Sequence, residues 1–241
     1  MDSHGLGRRI PETWDHVQKY PLRAVPSAVV EDLPPLPVIM GTNWHRWMSN
    51  PEYDDSDRRW WIGRNLQPDQ WGPVLGGHAY VFKPSSIRDL TAWWDWFDQG
   101  VEGKCVGFAS ARAMTLIDRV RIDPHGIYHA AQLIDEWPET PPEEGTSVRA
   151  AIDVLRTIGA AEVRGGKVGV ATLTHGVTAN RWAVTPDEIF SVLKSPRLEA
   201  QGVFALLNSW GRWYPHIVYV EADKYHRLLD EWGEATIFTP G

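Results

Sequence analysis

Hydrophobic and polar positions along this chain follow two different periods. Pro37-Val38-Ile39-Met40-Gly41-Thr42-Asn43-Trp44 is a short, largely apolar run and predicts a buried strand. Gly76-Gly77-His78-Ala79-Tyr80-Val81-Phe82-Lys83 predicts a second strand, entered through two glycines and closed by Pro84. Between them Asn50 to Arg59, with Asp54, Asp55 and Asp57, reads as a solvated loop. Helical spacing begins over Ser86 to Phe97. It strengthens from Cys105, where Val106, Ala109, Ala113, Leu116, Ile117 and Val120 recur three to four apart as one stripe. Ile127 to Trp137 is a further helix, and Thr146-Ser147 offers a cap for another over Val148 to Ile158, ended by Gly159. Thr185-Pro186-Asp187-Glu188 combines a capping threonine, a first-turn proline and a glutamate three residues after the cap. It opens a helix reaching about Lys194. Gly202 to Leu207 and His216 to Val220 predict two more strands, and Lys224 to Glu231 a last helix.

Helices dominate the middle and strands flank them, which predicts an α+β fold. Residues 1–36, poor in periodic signal and interrupted by Pro11, Pro21, Pro26, Pro34 and Pro35, form an extended N-terminal arm in this reading. Residues 37–241 form one domain.

Composition narrows the functional classes. The 241 residues are 43% hydrophobic and 23% charged, ordinary for a globular protein with a sizeable core. A net charge of −7 argues against nucleic acid as a partner. No apolar run approaches the roughly 20 residues that cross a bilayer, so no membrane partner is expected. Met1 to Arg9 has no apolar stretch behind its charges to resemble a secretory leader. With a single cysteine, this sets the expectation of a reducing, cytoplasmic location. The acidic Asp54-Asp55-Asp57 run lacks the glycine and terminal glutamate of a calcium loop, and no His/Cys spacing suits zinc. Gly165-Gly166 is simply a turn, so neither metal nor cofactor is expected. The 14 tryptophans, among them Trp60-Trp61 and Trp93-Trp94-Trp96, are expected mostly to fill the core and its rim.

The lone cysteine, Cys105, cannot form an internal disulfide, so its value lies in packing or in reactivity. It stands where the glycine-containing turn Gln99-Gly100-Val101-Glu102-Gly103-Lys104 gives way to a helix. A thiol there meets the positive end of the helix dipole, which favours the nucleophilic thiolate. Thiol hydrolysis further needs a base, a group that orients the base, and donors for the oxyanion. Gln99, six positions before the cysteine, is a candidate amide donor. Asn208, at a predicted strand end, is a candidate orienter.

Gln99-Gly100-x-x-Gly103-x-Cys105 with an aromatic at Phe108, together with Asn208-Ser209-Trp210-Gly211, resembles the papain-like cysteine peptidases. The likeness covers about Trp93 to Val120 and Thr185 onward. Lys104 and Val106 replace that family's usual neighbours of the nucleophile. The family's histidine normally lies shortly before its asparagine, yet residues 176 to 207 contain none. Gly77-His78-Ala79-Tyr80-Val81 is similar to the family's histidine strand and lies upstream, which implies a permuted order His78…Cys105…Asn208. Triads are defined by spatial role and recur in several chain orders. His216, just after the asparagine motif, is the rival base.

The resemblance implies a two-lobed fold, with a helical lobe carrying the nucleophile and an antiparallel, barrel-like sheet lobe. Here residues 37–84 would be the displaced histidine segment, 85–160 the helical lobe and 161–241 the rest of the sheet lobe. It further implies cleavage of peptide or amide bonds in a protein or peptide substrate, catalysed by Cys105, His78, Asn208 and Gln99. Gly77, Gly103 and Trp210 would line the cleft, and Trp210 would shield the His–Asn pair. Its compact, disulfide-free, permuted form points towards bacteria or bacteriophages. Two alternatives remain: a peptidoglycan peptide hydrolase or amidase of the same wider group, or an inactive scaffold such as a virion component.

Overall fold

The computed structural model describes residues 34–87, 96–135, 145–231 and 233–241. The proposed arm, apart from Pro34 to Leu36, lies outside them, as does most of the expected Ser86–Phe97 helix. The described residues form a mixed α/β structure around one eight-stranded sheet. Its strands are β1 (Val38–His45), β2 (Glu52–Asp54), β3 (Arg59–Trp61), β4 (Val74–Phe82), β7 (Val177–Trp182), β8 (Val203–Leu207), β9 (Val218–Glu221) and β10 (Glu234–Pro240). The spatial order is β2-β3-β9-β8-β4-β1-β10-β7. Only the β3–β9 pairing is parallel. The short hairpin β5 (Val163–Arg164) and β6 (Lys167–Val168) turns through Gly165-Gly166 as expected.

Six α-helices lie among the described residues. The helical middle contributes α1 (Cys105–Asp118), α2 (Pro124–Gln132) and α3 (Val148–Thr157). Later in the chain come α4 (Pro186–Leu193), α5 (Pro196–Ala200) and α6 (Ala222–Asp230). Caps account for several boundaries. The Ser147 hydroxyl accepts from the Ala150 N–H, and Thr185 and Glu188 form a reciprocal capping box. Helix α2 starts three residues earlier than its apolar spacing suggested. The Asp123 carboxylate accepts from the N–H groups of His125 and Gly126, with Pro124 in the first turn.

The sheet does not close into the barrel expected from the resemblance; β2 and β7 are its two edges among the described residues. The reason lies in the central strands β1, β4, β8 and β10, which are largely buried on both faces. On one face Val38, Met40, Tyr80, Phe82, Phe204, Leu206 and Ile237 pack with Ile189, Phe190 and Leu193 of α4 and with Tyr225 and Leu228 of α6. On the other, Ile39, Ala79, Val81, Leu207 and Phe238 pack with α1, α2 and α3. Phe204 stacks on Phe82 at 4.5 Å and on Phe190 at 4.3 Å, and burying each such ring contributes about 1.5–3 kcal/mol. Helices on both faces hold the sheet open and leave no interior for it to wrap.

The Asn50–Arg59 stretch is not merely a loop, because β2 and β3 form a hairpin there. Its turn is knotted by Asp54, which accepts from Ser56, and by Arg64, which pairs with Asp54 and Asp57. Of the described tryptophans, Trp44, Trp47, Trp61 and Trp71 are buried, whereas Trp213 is 93% exposed.

Candidate functional site

Strand β4 presents its side chains alternately, so His78 shares a face with Tyr80 and Phe82, while Ala79 joins the apolar cluster that contains Cys105. Strand β8 pairs with β4 only at Val81↔Leu207 and Phe82↔Leu206. Beyond Leu207 the chain splays away from β4 and turns to the loop before α1. There the Gln99 N–H donates to the Ser209 carbonyl at 2.9 Å, and Asp98 bridges to Trp210. The candidate site lies in the wedge so opened.

In that wedge the Nε2 atom of His78 lies 2.7 Å from the Asn208 Oδ1 atom. The same oxygen accepts from the Ser209 N–H at 2.7 Å, which fixes the orientation of the carboxamide. A carbonyl oxygen can only accept, so the imidazole proton sits on Nε2 and the lone pair on Nδ1. The His78 Nδ1 atom is buried and makes no hydrogen bond among the described residues, with the Cys105 thiol or otherwise. Burial lowers the His78 pKa from 6.5 to about 4, against the opposing effect of the Asn208 hydrogen bond. The ring is therefore a neutral base across the physiological range.

Aromatic rings enclose it. Trp44 meets His78 edge-on at 4.7 Å, and Trp210 lies over it at 4.8 Å with a 31° tilt. Trp44 stands opposite Gly76 in the β1–β4 ladder, one pair along from Asn43 opposite Gly77. The glycines leave room for the indole to lean towards His78. Tyr214 closes the cage at 5.1 Å from Trp210 and donates from its hydroxyl to the Met48 carbonyl at 2.9 Å. Sequence reasoning singled out Trp210 as the shield. It missed the equal part of Trp44, whose signal was its place one strand away, opposite a glycine.

Cys105 is the first residue of α1 and is 3% exposed. The N-cap residue, Lys104, makes no side-chain capping hydrogen bond. Lys104, foreign to the family pattern, forms an ion pair with Glu102, and that contact holds the Glu102 carboxyl below its usual range. Val106 is buried in the core of the helical side. Gln99 is also buried, and its Nε2 donates to the Glu102 carbonyl at 2.9 Å, inside its own turn. Gly103 is buried beside the thiol in sequence, and Gly77 is half-buried.

The structure thus joins His78, Asn208 and Trp210 directly, and ties Gln99 to the same strand end through its backbone. Cys105 itself packs in the apolar cluster with Ala79 and Val81 of β4. Arg112, two turns along α1 and so on the same side as Cys105, donates from Nη1 to the Asn208 backbone carbonyl. Its Nη2 atom lies 3.2 Å from the Nδ1 atom of His216. The rival base therefore faces a guanidinium, and the Asn208 carboxamide belongs to His78. Sequence reasoning missed Arg112. Its signal was a charge on a helix side otherwise built from Cys105, Ala109 and Leu116.

The remaining described histidines have local duties. His45 contacts the Glu231 carboxylate at 2.7 Å, His175 contacts Asp118 at 2.8 Å, and His125 packs on Phe108. His4 and His16 lie outside the described residues. Among the described residues no group of three or more His, Cys, Asp or Glu side chains is placed to hold a metal ion. No helix among them is long and apolar enough to cross a membrane. No model of a known protein family, no curated protein and no solved structure matches this chain.

Proposed function

We propose that the chain is a papain-like cysteine hydrolase, permuted so that its histidine strand precedes its nucleophile, and that it cleaves peptide or amide bonds. The observation that carries this reading is the His78 Nε2–Asn208 Oδ1 bond, formed between residues 130 positions apart in the chain. That bond leaves a lone pair on Nδ1 inside an aromatic cage, in a chain whose single cysteine begins α1.

In the proposed reaction Nδ1 takes the thiol proton and the Cys105 sulfur attacks the substrate carbonyl carbon. The negative oxygen that develops would be met by the Cys105 backbone N–H and the Gln99 side-chain amide. Nδ1 returns the proton to the leaving nitrogen as the C–N bond breaks. Water then attacks the thioester, its proton passing to Nδ1 and on to the departing sulfur. Asn208 keeps the ring in one tautomer throughout.

A second reading, an inactive scaffold of the same ancestry, is favoured by the depth of Cys105 and His78, 3% and 2% exposed. One experiment separates the two. Iodoacetamide labelling of Cys105 is followed against pH, alongside hydrolysis of denatured protein and of peptidoglycan by the wild type and by Cys105→Ala. The hydrolase reading expects labelling well below about pH 8. It also expects hydrolysis of one of the two substrates, abolished in a Cys105→Ala protein that remains folded. Labelling only above that pH, or hydrolysis that survives the substitution, refutes it.

A further inference from the structure

Arg112 is 3% exposed and lies on the packed side of α1, between Ala109 and Leu116. A guanidinium withdrawn from water must have its N–H groups met by acceptors held in place. Here Nη1 donates to the Asn208 carbonyl, Nη2 donates to the Nδ1 atom of His216 at 3.2 Å, and the guanidinium carbon stands 5.3 Å from the Phe97 ring centre. Together these contacts restrain the fork. Because the His216 Nδ1 faces a donor, it presents its lone pair, so this histidine acts as a strut for Arg112.

The residue so gripped is the one that orients the imidazole. Asn208 is held at its backbone carbonyl by Arg112, and at its side-chain oxygen by the Ser209 N–H and by His78. Any rotation of the Asn208 peptide swings the carboxamide away from Nε2 and releases the ring to its other tautomer, with the proton on Nδ1 and no base left. We infer that Arg112 is a positioning residue of the His78–Asn208 pair: its guanidinium fixes the Asn208 peptide plane and, through the carboxamide, keeps the His78 lone pair on Nδ1. This inference rests on the hydrolase reading for its purpose, though not for its geometry. The link also joins the nucleophile's helix to the base's orienter, so a shift of α1 would be felt at the imidazole.

The test uses the full chain with Arg112→Met and Arg112→Lys. Two properties are read: the pH profile of Cys105 alkylation by iodoacetamide, unambiguous because the chain has one cysteine, and the nitrogen-15 NMR signature of the His78 tautomer. Arg112→Met is expected to show mixed His78 tautomers and an alkylation rate near neutral pH lower by about tenfold or more, equivalent to about one unit in pKa. Arg112→Lys keeps the charge and a donor without the fork, and is expected to recover part of the loss. A folded Arg112→Met protein with the wild-type profile and a single Nε2–H tautomer overturns the inference. Should Arg112→Met fail to fold by near-ultraviolet circular dichroism, the lysine variant decides. A loss of about threefold or more with tautomer mixing supports the inference, and a profile superimposable on wild type overturns it. If wild-type Cys105 alkylates only as an ordinary thiol, the hydrolase reading falls, while the tautomer comparison still judges Arg112.

Discussion

Acid should weaken the fold through His78 before it reaches the carboxylates. The ring is fully buried and its pKa falls from 6.5 to about 4 on folding, chiefly because burial penalises the charged form. Between those values the unfolded chain binds a proton that the folded protein excludes, so stability is complete above the unfolded value and drains away as pH drops towards the folded one. For a single group with these two constants, moving from about pH 7 to about pH 5 removes roughly 2 kcal/mol, and reaching pH 4 removes about 3 kcal/mol. Urea denaturation of the wild type and of His78→Gln across this range isolates the effect. Glutamine retains a donor for the Asn208 oxygen and does not titrate, and contributions from the other histidines cancel in the difference. The wild-type curve should fall by about 2 kcal/mol more than that of the variant over the upper window. Parallel curves would show that the imidazole is not held neutral by its aromatic cage, and the tautomer argument would fail with it.

Other outcomes follow from the same wedge. Asn208→Ala strands a buried Nε2–H and should destabilise the protein by about 1–3 kcal/mol in denaturant titrations; a value near zero would mean that the bond adds nothing. Gly211→Ala meets two obstacles, a φ of +53° and an added methyl carbon only 2.3 Å from an Asp98 carboxylate oxygen. A loss of about 1–3 kcal/mol in thermal or chemical melts is expected, with weakened Cys105 labelling as the Asp98–Trp210 bridge opens. Gly107→Ala sets a carbon 2.5 Å from the Pro124 carbonyl and 2.7 Å from the Tyr128 side chain. It should push α1 from α2 and lower the melting temperature by several degrees, about 2–4 °C for each kcal/mol lost; an unchanged melt would refute that close packing.

Much of this architecture was legible because burial and capping leave local marks. Strands β1, β4 and β8 were readable as short apolar runs, and helices α3 and α4 began where Ser147 and Thr185 promised. The open sheet was legible too, in retrospect. Val38-Ile39-Met40, Ala79 to Phe82 and Val203 to Leu207 are continuously buried, the mark of strands covered on both faces. The expectation of a barrel came from resemblance and overrode that signal. Strands β7 and β10 escaped notice. One is a half-buried edge of mixed polarity and the other ends in a proline, so neither shows clean alternation. At the site, His78 and Asn208 could be paired by role, since each residue type carries its chemistry in its side chain. Arg112 could not, because its contact is with a backbone carbonyl, which leaves no trace in sequence.

The order of the strands bears on how the protein is born. Strand β10, the last in chain order, is inserted between β1 and β7, and β8, which presents Asn208, docks beside β4 after every helix of the middle has been made. A nascent polypeptide emerging from the ribosome therefore exposes its cysteine and histidine long before their carboxamide partner arrives, with two sheet edges bare in the meantime. Synthesis itself thus delays formation of the His78–Asn208 contact.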